Sequence, residues 1–158
     1  MKEIPAIIKL FTDLYAGDPW IGLNLVDSLK NIQAKNANRK IGNHNSIWEI
    51  LNHLISWREN VLERVQGKIL VSPDNNYFIP VKDDSEEAWK STLKKLEDSQ
   101  TKWMEFLGRF NEKDLGKTYA PNGMNYYEHI HGIMQHDAYH LGQINLLVKL
   151  VQELKIKN

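Results

Sequence analysis

Apolar residues recur at intervals of three and four along most of the chain, and no stretch alternates apolar and polar positions as a half-buried strand would. That period belongs to amphipathic helices, so the pattern predicts an all-α fold. A short amphipathic piece covers residues 3–15 and breaks at Ala16-Gly17. Asp18-Pro19 then offers an N-cap followed by proline at the first helical position, which predicts a helix running to about Asn36. Ser46 and Glu49 form an S-x-x-E capping box for a helix over 46–66, striped by Ile47, Ile50, Leu51, Leu54, Val61, Leu62 and Val65 and stopped at Gly67. Asp84 and Glu87 repeat the capping pattern before a helix over 84–109, faced by Trp89, Leu93, Leu96, Trp103, Phe106 and Leu107. Asn125 and Glu128 cap the last helix, which runs to about Lys155.

Four long helices in 158 residues argue for one domain spanning residues 1–158, a four-helix bundle with a short extra N-terminal helical segment. The connection over 67–83 contains Pro73, Asn75-Asn76, Tyr77-Phe78 and Pro80. Loops of that length within one domain tend to be functional or mobile, and the aromatic pair is expected to pack back onto the helices.

Composition narrows the function. Twenty basic and 20 acidic residues cancel, with no basic block, so there is no electrostatic case for nucleic acid binding. No run of 18 apolar residues exists to span a membrane. The opening MKEIPAIIKLFTDLY carries acidic residues at Glu3 and Asp13 and no cleavage site follows, so it does not read as a signal peptide, and a cytoplasmic location is expected. With no cysteine, any metal must be held by nitrogen and oxygen.

The histidines carry the remaining chemistry. His136 and His140 are four apart in a predicted helix, on one face and roughly 6 Å apart along its axis. Two imidazoles so placed can chelate one ion. His53, flanking the stripe of the second capped helix, is the best third ligand, and three protein nitrogens leave a position open for water or substrate. The same residues also read as ordinary, partly buried histidines bonded to backbone or carboxylates. His129 and His131 point to opposite faces, and His129 stands roughly 10 Å from His136 along the helix, too far to share an ion. His44 lies in a loop, expected to be solvated or to cap a helix.

Asp137 lies near the inward stripe. It is a candidate to orient a ligand histidine, to accept a proton, or to pair with Arg58 inside the bundle. Trp57, Tyr77 and Phe78 are candidate pocket walls, and Gln143 is placed to bond an imidazole or a substrate. Gly142 inside a helix suggests a close helix approach beside the site, or simple tolerance. There is no P-loop, dinucleotide turn or G-x-S-x-G, and Asp137 stands where a zinc protease of the H-E-x-x-H type has glutamate.

The segments DPWIGLNLVDSLKNI, NSIWEILNHLISWREN, EEAW and MQHDAYHLGQINLLVKL, in that order over roughly residues 14–152, resemble the DinB-like (YfiT-like) superfamily of four-helix metal proteins. The resemblance implies a divalent metal, commonly nickel or zinc, on one histidine of the second helix and the H-x-x-x-H pair of the last, matched here by His53, His136 and His140. It further implies a metal-dependent hydrolase, or a transferase acting through a low-molecular-weight thiol such as bacillithiol or mycothiol. A small-molecule substrate and a homodimer are expected with it. The alternative is a non-catalytic helical dimer that binds a ligand or partner, with a structural metal or none.

Overall fold

The computed structural model describes residues 2–156, and its described residues are helical with no strand beyond one isolated bridge between Thr118 and Asn125. Four long helices make the bundle: α1 (Glu3–Ala16), α4 (Ile47–Arg64), α5 (Glu86–Arg109) and α6 (Tyr126–Ile156). Two short ones, α2 (Leu25–Leu29) and α3 (Ala34–Ala37), fill the connection between α1 and α4, and a 3-10 turn over Glu112–Gly116 precedes α6. No helix is long and apolar enough to cross a membrane among these residues.

The caps at Ser46 and Asn125 form as the sequence predicts. The Ser46 hydroxyl accepts from the Glu49 amide while the Glu49 carboxylate accepts from the Ser46 amide, and Asn125 and Glu128 exchange the same pair of bonds. Elsewhere the chain departs from expectation. The N-terminal piece is no appendage: Ile4, Ile7 and Phe11 are buried against Val61, Trp103 and Ile130, so α1 is one of the four bundle helices. The helix expected from Asp18 to Asn36 is broken instead. Gly22 turns the chain at φ +69°, and α2 starts only at Asn24, whose side chain caps the Asp27 amide and reaches back to the Gly17 carbonyl. A second break before α3 is held by long-range bonds, the Ile32 carbonyl accepting from Trp89 Nε1 and the Ala34 amide donating to Glu86. The third cap is Ser85 rather than Asp84, its hydroxyl accepting from the Ala88 amide.

Helices α4 and α5 run parallel: Trp48 near the start of α4 donates to Thr92, and Glu59 near its end pairs with Lys102. The connection between them must therefore travel back along the whole of α4, about 27 Å for 18 residues. That requirement accounts for the long loop and carries it across the bundle surface.

Two apolar clusters fill the interior. One surrounds Trp48, Trp89, Leu51 and Ile144, the other Phe11, Trp103, Leu62 and Ile133. Between them lies a buried polar layer. Arg58, 1% exposed, donates through Nε to Ser99 Oγ at 3.0 Å, through one terminal nitrogen to Gln100 at 2.6 Å and through the other to Asp137 at 2.5 Å. The planar guanidinium fixes the directions of these three bonds, so each neighbour has to sit where it does.

Candidate metal centre

His53 is carried by α4, His136 and His140 by α6, and the antiparallel packing of these two helices brings the three rings together. One ring nitrogen from each lies within 4.8 Å of the others, the one such group of three among the described residues. His53 Nε2 stands 2.9 Å from His136 Nε2. Two nitrogens bound at right angles to one ion, each about 2.1 Å from it, are about 3 Å apart. The His140 ring meets the other two edge-on, with centroids 4.6 and 4.4 Å away.

Partners at the far nitrogens decide which way the lone pairs point. His53 Nδ1 lies 2.6 Å from the Asn76 carbonyl, which can only accept, so Nδ1 carries the hydrogen and Nε2 the lone pair. His140 Nδ1 lies 2.7 Å from Gln143 Oε1, whose amide nitrogen donates in turn to Tyr139. The same logic leaves His140 Nε2 free to coordinate. His136 Nδ1 faces Asp137 Oδ1 at 3.8 Å, and neither atom has another partner. His53 and His140 aim their lone pairs at one point, and with the His136 hydrogen on Nδ1 its Nε2 completes a three-nitrogen donor set that fits a divalent cation. Burial favours the neutral imidazole at His53 and His140. It pushes His53 down to about 4, the other two imidazoles adding to the effect against the Asn76 carbonyl. Burial lowers His140 in the same way, with His136 contributing.

The long loop completes the site. Asn76 and Tyr77 both hold positive φ, 51° and 62°, a conformation that costs energy away from glycine and persists here because the loop is pinned. Asn76 Oδ1 accepts from Trp57 Nε1 at 2.9 Å, and the Tyr77 hydroxyl accepts from Asn60. Phe78 stacks on His53 with ring centroids 4.0 Å apart and planes 8° from parallel. Beside the histidines opens a cleft of about 690 Å³, within the range of small-molecule sites.

Trp57, Phe78 and Gln143 line that cleft, and Tyr77 lies outside it. Its ring sits edge-on against Trp57 and turns to a separate groove between α4 and α5. Asp137 is fully buried and bonded to Arg58, with no surface on the cleft. Gly142 has open space where a Cβ would stand, so no helix approaches it and the close-approach reading fails. His44, expected only as a solvated or capping residue, stands at the rim of the cleft. His129 packs edge-on against Tyr119, and His131 lies on another face near Glu3.

Sequence reasoning missed the Asn76 carbonyl, since a backbone acceptor leaves no mark in the residue pattern. It also missed Ser99 and Gln100, although two polar residues interrupting the stripe between Leu96 and Trp103 were a usable signal.

Comparison with curated proteins and with solved structures gives no match. The family model of the DinB superfamily matches residues 24–144, a span holding α2 to most of α6 and all three histidines. That match covers well over half of the chain, and the chain belongs to the DinB superfamily.

Proposed function

We propose that this chain is a metal-dependent enzyme whose divalent ion, nickel or zinc, is held by His53, His136 and His140. The observation that supports this reading is the convergence of three imidazoles whose outer nitrogens at His53 and His140 are committed to fixed acceptors. Three protein nitrogens leave coordination positions open, as catalytic sites do and closed structural sites do not. When bound, the ion would supply Lewis acidity, lowering the pKa of a coordinated water or low-molecular-weight thiol.

The protein's own residues do the rest. Asn76 and Gln143 hold the imidazole orientations, and Phe78 and Trp57 keep water from two sides of the site. Asp137, paired with Arg58, positions the His136 ring. The substrate is a small molecule taken into the adjoining cleft, and the reaction is hydrolysis or thiol transfer.

The experiment is metal analysis by inductively coupled plasma mass spectrometry on untagged protein beside His140→Ala. About one divalent ion per chain, lost in the variant with helicity intact, supports the site. Full occupancy retained in the variant would sink it. Collapse of the helical signal on chelation would assign the ion a structural role instead.

A homodimer is the assembly we propose. Trp20 is fully exposed beside exposed Ile21, Leu23 and Val26, an apolar patch of the kind that marks contact surfaces. Light scattering on wild type and Trp20→Ser tests it: a dimer that the substitution dissociates supports this face, and a monomeric wild type removes it.

A further inference from the structure

A quarter of the chain's residues are charged, yet no lysine, arginine, aspartate or glutamate is among the described residues lining the cleft. Fourteen residues line it, so a lining of average composition would hold about three or four. The groove on the other side of α4 is by contrast rich in charge, with Glu59, Glu63, Lys68, Lys102, Glu105 and Arg109 around it. Absence of charge is therefore local to the cleft beside the histidines.

Two of its polar side chains are already engaged, leaving His44, Asn45 and the Tyr139 hydroxyl. Asn76 Oδ1 is taken by Trp57, and the Gln143 amide by His140 and Tyr139. What remains facing the cleft is mostly apolar: Ile50, Trp57, Phe78, Leu146, Leu147 and Leu150. A carboxylate moved into this lining would lose water and find no lysine or arginine among the described lining residues, a cost that apolar contact does not return. An uncharged body, by contrast, gains from burial against the aromatic and leucine walls.

We propose that the cleft selects a neutral, largely apolar small molecule that presents one metal-coordinating head group to the histidines, and discriminates against thiols or acyl compounds bearing a further carboxylate. The inference deepens the metal-dependent reading and rests on it for the head group alone; the preference for the body is a property of the cleft walls.

The test uses two probe pairs. On zinc-loaded protein, 2-phenylethanethiol is compared with 4-(2-mercaptoethyl)benzoate by calorimetric titration. On chelator-treated protein, the S-methyl thioethers of both are compared, since these engage the walls without needing the ion. Tighter binding of the neutral member by about tenfold or more in both formats is expected. Leu146→Lys, at a rim position 60% exposed and so free to accept a charge, is expected to narrow that gap by recruiting the carboxylate. Equal or tighter binding of the carboxylated member by wild type overturns the proposal, and so does absence of binding by both. Failure to hold zinc with the thioether preference intact would end the metal reading while leaving the cleft's selectivity standing.

Discussion

Asp137 Oδ1 lies 3.8 Å from His136 Nδ1 while the other carboxylate oxygen is bonded to Arg58, so one side chain joins the buried polar layer to the metal centre. Both facing atoms lack any other partner. A small rotation of the imidazole closes the gap into a hydrogen bond, which fixes the His136 tautomer as Asn76 and Gln143 fix the other two.

Asp137→Asn is therefore expected to weaken zinc binding by about 10- to 100-fold. It should also destabilise the metal-free protein by about 3–5 kcal/mol, because Arg58 remains charged and buried without its counter-ion. Competition titration against a chromophoric chelator reads the first effect and urea unfolding the second. The double variant Arg58→Met, Asp137→Leu should recover most of the stability and none of the affinity.

Gln143→Leu removes the acceptor at His140 Nδ1 and frees the ring to turn or to place its hydrogen on the coordinating nitrogen. Zinc affinity should fall by about tenfold, with unchanged circular dichroism and melting temperature. An unaltered affinity would show that packing against Phe78 and the neighbouring imidazoles is enough to orient the ring.

Acid should destabilise the metal-free protein through the same histidines. Burial holds His53 near 4 and lowers His140, whereas in the unfolded chain both titrate near 6.5. As the pH falls below 6.5 the unfolded state takes up protons first, so stability that is full above that value is lost progressively toward 4. Melting temperature followed across that window in the presence of chelator checks the slope, which His53→Gln should flatten. Zinc should shift the onset downward, since only the folded state gathers the three ligands.

Ser46→Ala tests the local device that starts α4. Loss of the hydroxyl cap is expected to cost about 2 kcal/mol, the upper end of the usual range, since both partners are buried. Zinc affinity should be unchanged, because His53 lies two turns further along the helix.

The features legible in the sequence were those set by neighbours a few residues away. The stripe Ile47, Ile50, Leu51, Leu54 and the Ser46–Glu49 box place α4, and Asn125 with Glu128 starts α6. The pair His136 and His140 follows from helix geometry alone, since any helix through those positions sets them on one face. At Asp18-Pro19 the local signal is overridden, because the Gly22 turn and the bond to Gly17 move the helix start to Asn24.

Only the tertiary structure decided the rest. Parallel packing of α4 and α5 forces a long return loop, and that loop delivers the Asn76 carbonyl to His53, Phe78 to its ring face and Tyr77 to the wrong side for a pocket wall. The break before α3 depends on Trp89 and Glu86, more than fifty residues away. Arg58 becomes the centre of the core only when Ser99, Gln100 and Asp137 arrive from two other helices. Periodicity and caps are short-range and can be read from adjacent residues. A backbone acceptor, a buried ion pair and an uncharged cleft are relations between distant segments, and their energies exist only once the chain has closed around them.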